Sequence, residues 1–298
     1  MLSHQFDFTV AKFDSLKQVD KDEVVQADIV EIREKVDGGI YHSQEMIWGG
    51  NLSGIQNISE MIRSKKEVKA LKENKEWFES QGYYFEIVPM TGKLFEEFFE
   101  LYQRTTLMQE RPQIFSLKEQ ILGKILINKP VFLIGMFKEK VLESGIVFSI
   151  KDQQAVVSFG AKKKFPDRRG GVGGVLEQML ISYSLEKGLS DISHGKAKNP
   201  VGLLSKAGVF EFKARYGFSA FPSGYWKTTF LLNPKIALSD LVFVTTIDDQ
   251  ISYIVVTDST EKDVSKKYST NEVEIIRRRS FEEFVETSKG FFLTSKQK

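Results

Sequence analysis

Asp167-Arg168-Arg169-Gly170-Gly171-Val172-Gly173-Gly174-Val175-Leu176 is the stretch on which the reading of this chain turns. Four glycines fall within five residues, behind two arginines and ahead of an apolar run. Val172, Leu176, Met179 and Tyr183 follow at helical spacing, with Val175 and Leu180 beside them. Lys187-Gly188 supplies the stop, a cation in the last turn and then a C′ glycine. A glycine loop therefore opens an amphipathic helix. Bare N–H groups at a helix start, the helix dipole and two guanidinium groups together make an anion site. Glycine lets a phosphate approach the backbone with no Cβ in the way. The plainer reading of the same residues is a loop before a surface helix.

Two common phosphate sites do not fit. A P-loop needs Gly-Lys followed by Ser or Thr, which this chain lacks. A dinucleotide fingerprint needs a third glycine where Leu176 stands. The residues do spell Arg-x-x-Gly-x-Gly, with Arg168, Gly171 and Gly173. That pattern resembles the acyl-CoA signature of the GNAT superfamily of N-acetyltransferases. The resemblance implies that the loop and helix start cradle the pyrophosphate of coenzyme A.

Composition bounds the alternatives. With 298 residues the chain is long enough for one large domain or two small ones. Its 41% apolar and 28% charged residues are ordinary for a globular protein. No run approaches the ~18 apolar residues of a membrane span. Met1-Leu2-Ser3-His4-Gln5-Phe6-Asp7 has neither a basic start nor an apolar core, so no secretory signal is read and a cytoplasmic location is expected. Absence of cysteine excludes disulfides, thiolate zinc sites and a cysteine nucleophile. A net charge of +2 does not announce a nucleic-acid binder. The basic residues do cluster, at Lys162-Lys163-Lys164, Arg168-Arg169 and Arg277-Arg278-Arg279. The first two groups precede the glycine loop, where they attract phosphates.

Taken in order, residues 1–57 read as short strands and turns. Asp28 to Arg33 is a strand, Asp37-Gly38-Gly39 a turn, and Ile47-Trp48-Gly49-Gly50 a second turn. His42 lies between the two turns and reads as ordinary surface. Residues 58–80 read as one or two helices with a solvated face. Tyr83 to Val88 is a strand. Leu94, Phe98, Leu101 and Thr105 then share a helix face. Ser116-Leu117-Lys118-Glu119 reads as a capping box opening a second helix. Val131 to Phe137, Val141 to Ile150 and Ala155 to Ala161 follow as three strands with short polar turns, an antiparallel meander. Leu189 to His194 is a further short strand after the glycine-loop helix.

That order resembles the acetyltransferase fold over residues 83–231. A second motif narrows it. Phe212-Lys213-Ala214-Arg215-Tyr216-Gly217-Phe218 is similar to the Phe-Lys-x-x-Phe-Gly signature of the FemAB-like branch, with Tyr216 in place of the second Phe. Asp191-Ile192-Ser193-His194-Gly195 resembles the Asp-Phe-Gly end of that branch's next strand, with departures. The fold class expected is α/β (α+β): a GNAT-like mixed, mostly antiparallel sheet flanked by helices, with extra N- and C-terminal strands. Residues 1–82 and 232–298 are expected to flank the 83–231 domain and to form a partial second lobe with the acceptor between the lobes. In the tail, Leu241 to Val244 and Ile251 to Val256 form a hairpin across Asp248-Asp249-Gln250. Glu272 to Ile276 is another strand, and Ser280 caps a helix carrying Phe281, Phe284 and Val285.

The resemblance implies an N-acyltransferase with acetyl-CoA or a longer acyl-CoA as donor and a small-molecule or peptide amine as acceptor. Arg168, Arg169, Gly170, Gly171, Val172, Gly173 and Gly174 would hold the pyrophosphate, and the Ser158-Phe159-Gly160 strand edge the pantetheine arm. A backbone N–H near that strand would polarise the thioester oxygen. Lys213 is the first choice to stabilise the thioester oxygen or the leaving thiolate. His194 is the candidate base, because an ordinary imidazole pKa of ~6.5 suits the task. Tyr216 is a candidate proton donor, and Glu143 and Asp191 are weaker bases. Each also has a bland reading: a solvent-facing lysine, a hydrogen-bonded histidine, a core aromatic. No His/Asp/Glu spacing compels a metal site. An acyl carrier protein would use part of the same cleft. Two other readings stay open, an aminoacyl transferase using charged transfer RNA and a non-catalytic binding module. The intact glycine loop favours the thioester donor.

Overall fold

The computed structural model describes residues 2–5, 8–62, 64–108, 118–127, 129–165, 171–203, 207–233, 235–236, 240–268, 273–277, 286–289 and 291–292. Its elements begin with β1 (Leu2–Gln5), β2 (Phe8–Phe13), α1 (Lys21–Val25), β3 (Ile29–Ile32) and β4 (Ile40–Asn51). They continue through α2 (Ile58–Met61), α3 (Lys65–Ser80), β5 (Tyr83–Pro89), α4 (Gly92–Leu107) and α5 (Lys118–Leu126). Next come β6 (Val131–Lys138), β7 (Val141–Lys151), β8 (Gln154–Ala161), α6 (Val172–Glu186) and β9 (Asp191–Lys198). The remainder is α7 (Ala207–Arg215), β10 (Ser219–Leu231), β11 (Leu241–Ile247), β12 (Gln250–Thr257), α8 (Glu261–Tyr268) and β13 (Val273–Arg277).

Two compact units form, both discontinuous in sequence. The first is Met1–Trp48 with Lys196–Ala214 and Ser219–Lys298, and the second is Gly49–Gly195 with Arg215–Phe218. These limits differ from the expected boundaries at 82 and 231, for two physical reasons. α3 packs on α6, where Leu71 Cδ2 comes within 2.8 Å of the place a Cβ on Gly174 would take. That contact draws α3 into the second unit. β10 runs antiparallel to β3, with Thr228 opposite Ile32 and Leu231 opposite Ile29. That ladder draws β10 into the first unit.

In the second unit the strand order is β9-β8-β7-β6-β5. β5 to β8 form the expected antiparallel meander. β8 and β9 are parallel, and α6 makes the crossover between them. The hairpins turn at Glu139-Lys140 and Asp152-Gln153, all four at positive φ between 47 and 67°. That conformation matches the right-handed twist of the strands. Leu133, Val147 and Phe159 face one side of the sheet and meet Phe95, Phe98 and Tyr102 of α4. Phe132 and Phe148, opposite each other on β6 and β7, face the other side and pack against Tyr183 of α6. Thr91 caps α4 by accepting the Leu94 N–H at 3.2 Å. Ser116 and Leu117 of the expected capping box lie outside the described residues, and α5 follows them. This is the expected mixed, mostly antiparallel sheet flanked by helices.

In the first unit the strand order is β1-β2-β3-β10-β4, and β11-β12-β13 make a separate sheet. The β11–β12 hairpin turns at Asp248-Asp249, as the sequence predicts, and β13 adds in parallel. The helix expected from Ser280 begins outside the described residues. β4 corrects one expectation: it runs unbroken through Ile47-Trp48-Gly49-Gly50, where a turn was expected. Gly50 is there for space, since a Cβ would come within 2.5 Å of Met61 Cε and 2.8 Å of the Phe218 ring.

His42 is a second correction. It is fully buried rather than at the surface. Its Nδ1 lies 2.7 Å from the Ser43 carbonyl and its Nε2 lies 2.8 Å from Thr229 Oγ1. Burial, with the Lys227 charge adding to it, lowers its pKa from 6.5 to about 3. The folded chain therefore keeps His42 neutral while the unfolded chain protonates it below pH 6.5. This contribution is fully present above pH 6.5 and is lost progressively as the pH falls towards 3. From pH 7 to pH 5 the expected loss is about 2 kcal/mol. Urea unfolding at both pH values checks it: His42→Gln should show a shallower pH dependence whatever its stability at pH 7. An unchanged slope would mean that other groups carry the acid sensitivity.

Candidate functional site

α6 begins at Gly171, the N-cap residue, with φ −61° and ψ 173°. Among the described residues, a Cβ placed there would meet nothing within 4 Å. The next glycines serve differently. A Cβ on Gly173 would lie 3.0 Å from Lys162 Cδ, and one on Gly174 would lie 2.2 Å from the Tyr216 hydroxyl. Those two glycines make room for side chains of the protein itself. The Gly174 N–H donates to the Gly171 carbonyl at 3.2 Å. The N–H groups of Gly171, Val172 and Gly173 precede that bond and are the ones a helix start offers to an anion. The Val172 side chain is buried. Arg168, Arg169 and Gly170 lie outside the described residues.

One turn further on stands Glu177, only 3% exposed. Its Oε1 is 3.6 Å from Lys162 Nζ, and its Oε2 is 3.2 Å from His194 Nε2. The His194 side chain is also buried, and its ring meets Phe218 edge-on at 4.5 Å. Tyr216 is buried with its hydroxyl at Gly174. Burial foremost, then the neighbouring Glu67 and Glu177 carboxylates, push the Tyr216 hydroxyl well above its ordinary pKa. It therefore holds its proton through neutral pH. His194 and Tyr216, far apart in sequence, are thus gathered at one helix start around a carboxylate.

Sequence reasoning did not select Glu177. A signal was present: Glu177 stands four and three residues after Gly173 and Gly174, on the same helix face. A carboxylate on the face that carries packing glycines points inward, not to solvent. Lys213, the first choice from sequence, belongs to the first unit, where its Nζ sits 5.2 Å over the Trp48 ring. Glu143 pairs with Lys163, and Asp191 accepts a hydrogen bond from Ser190 Oγ at 2.7 Å.

The strands beneath α6 have a break in their ladder. β8 pairs with β9 at Gln154, Ala155 and Val156. No further β8–β9 pair follows among the described residues. On its other edge β8 changes register against β7, from Val157 opposite Phe148 to Phe159 opposite Val147. Ser158 is the extra residue of a β-bulge, which turns its backbone out of the regular pattern. The Phe159 ring is committed to the core against Tyr102 at 5.0 Å, while Gly160 is exposed. The antiparallel meander, the glycine-started helix and the mixed, mostly antiparallel sheet flanked by helices are the features expected from the sequence. The fold is GNAT-like.

Among solved structures, the chain is similar to FemX (9% identity over 74% of this chain and 80% of that one, TM-score 0.47). It is also similar to L-PGS from Bacillus licheniformis (16% identity, 76% and 78%, TM-score 0.41). A third is the PaiA N-acetyltransferase from Thermoplasma acidophilum in complex with coenzyme A (17% identity, 49% and 98%, TM-score 0.34). No protein-family model matches the sequence, and no curated protein matches it. Among the described residues, no three His, Cys, Asp or Glu side chains gather as a metal-binding group, and no helix is long and apolar enough to cross a membrane.

Proposed function

We propose that the chain is an acyltransferase that moves an acyl group from a coenzyme A thioester to an amine. The observation that carries this reading is the helix start at Gly171, where a Cβ would meet none of the described residues, near the end of the β8–β9 ladder. A thioester donor has an anionic pyrophosphate at one end and a polarisable carbonyl at the other. The helix start suits the first. The bulged backbone at Ser158 suits the second, as a hydrogen-bond donor to the developing oxyanion.

In the reaction, the amine nitrogen forms a C–N bond to the carbonyl carbon and the C–S bond breaks. The proton lost by the amine passes to His194, which Glu177 orients and steadies. Tyr216, held protonated, supplies a proton to the departing thiolate. Lys162 offsets the second oxygen of Glu177, so that the buried carboxylate is not left uncompensated.

An aminoacyl-tRNA donor would need a strongly basic groove. The lysine row of α3 is the natural candidate, but it is laced with carboxylates: Lys69–Glu73 at 3.7 Å, Lys72–Glu76 at 3.9 Å and Lys75–Glu79 at 3.8 Å. That balance favours the smaller donor.

Thermal unfolding with coenzyme A, acetyl-CoA and longer acyl-CoAs tests the reading. At ~100 times its dissociation constant a ligand adds about 2.7 kcal/mol, a shift of several degrees. Gly171→Asp should abolish the shift by repelling the pyrophosphate. Its φ suits any residue and aspartate is a favoured N-cap, so the variant should stay folded. Absence of a shift in the wild type with every acyl-CoA would overturn the donor assignment.

A further inference from the structure

A recess in the first unit has about 60 Å³ open to water. That is room for a handful of waters or one tetrahedral anion with part of its hydration. It is lined by Lys12, Glu31, Lys198 and Lys227, with Gln44 and Tyr225 beside them. The strand register explains why these charges meet. Lys12 on β2 stands opposite Glu31 on the parallel β3. Glu31 stands opposite Thr229 on β10, two residues from Lys227, and so on the same face as Lys227. Lys227 is 7% exposed and is ion-paired with Glu31. Lys12 Nζ lies 3.9 Å from the other Glu31 oxygen. Lys198 lines the same recess from the end of β9.

Three lysines and one glutamate thus line one small space. Burial holds Lys227 below the usual lysine range, and the charges of Lys12 and Lys198 add to that effect against the pull of Glu31. Like charges held around a recess are costly unless something of opposite sign enters it. We propose that the Lys12–Lys198–Lys227 recess is a binding site for a phosphate monoester dianion, either free phosphate or the phosphate end of a small metabolite. Lysines bind phosphate as movable point charges. Glu31 holds Lys227 in place and leaves its remaining N–H donors for the anion. This inference rests on the first unit alone and does not depend on the acyl-transfer reading.

Calorimetric titration and thermal unfolding with inorganic phosphate, phenyl phosphate and acetate, at constant ionic strength set by chloride, test it. Saturable binding of inorganic phosphate is expected, with acetate at least about tenfold weaker because it brings half the charge. Phenyl phosphate binding as well as inorganic phosphate would identify a metabolite end as the ligand, and much weaker binding would identify free phosphate; either supports the site. Lys198→Met and Lys12→Met, at exposed or half-exposed positions, should each weaken phosphate binding about tenfold or more. Lys227→Met with Glu31→Gln removes the buried pair together and should abolish binding while leaving the chain folded. Three results would each overturn the proposal: no saturable phosphate binding up to tens of millimolar, acetate binding equal to phosphate, or binding unchanged in Lys198→Met. The lysine variants separate this recess from the helix start at Gly171, which they leave unchanged.

Discussion

Glu177→Gln is expected to lower acyl-transfer turnover by ~10²–10⁴-fold, the usual worth of a positioned acid–base group. The carboxylate lies within 3.2 Å of His194 and 3.6 Å of Lys162 in a buried setting. Glutamine has almost the same shape but no charge. It keeps the packing and loses the group that would stabilise a protonated His194 after the amine gives up its proton. In the proposed reaction Glu177 would act through His194, as a positioning residue. Two readouts separate that role from mere structural support. The thermal shift given by coenzyme A should be unchanged, and the pH dependence of the remaining turnover should differ from that of the wild type. Because the chain contains no cysteine, the thiol released from coenzyme A is read without background. A panel of small amines and peptides supplies the acceptor. Turnover within about threefold of wild type would remove Glu177 and His194 from the acid–base role.

Gly217→Ala is expected to cost about 3 kcal/mol or more of stability. Gly217 has φ +80°, and a Cβ there would lie 2.4 Å from the Met61 carbonyl oxygen. The left-handed conformation alone costs an L residue about 1–2 kcal/mol. The overlap adds to it, because a backbone oxygen cannot rotate aside as a side chain does. Gly38→Ala is the control: φ is +83°, but nothing lies within 4 Å of its Cβ, so only the conformational cost should appear. Urea midpoints of both variants measure the difference. Equal losses would show that the Met61 contact relaxes freely. Gly217 lies between Tyr216 and Phe218, whose side chains meet Gly174 and His194. A variant that stays folded should therefore also lose acyl-transfer turnover.

Much of the fold was legible because its signals are local. Three strand-like runs separated by short polar turns predict the β6–β7–β8 meander, and the structure has it. A glycine run before a periodic apolar stretch predicts the start of α6 at Gly171. The Phe212 to Phe218 motif places Tyr216 next to a structurally required glycine. The errors have a common cause. Gly49-Gly50 signals a turn by composition, yet its glycines lie inside a strand because Met61 and Phe218 occupy the space. His42 reads as a surface residue between two turns, and is buried because β10 covers it with Thr229. In both cases the deciding neighbour is distant in sequence.

The chain by itself determined the class of fold, the order of its elements and the glycine start of α6, because each depends on periodicity, capping and turn chemistry within a short window. Only the tertiary structure decided which glycines are open and which are filled. Gly171, Gly173 and Gly174 are alike in sequence, but Lys162 and Tyr216 take the space beside the last two. Only the tertiary structure placed Glu177 against His194, and Lys227 with Glu31 and Lys12 around one recess. Charge is a property of a residue, whereas its pairing and burial depend on which strands and helices pack together. For that reason the elements were readable from the residues, and the pairing of Glu177 with His194 and of Lys227 with Glu31 was not.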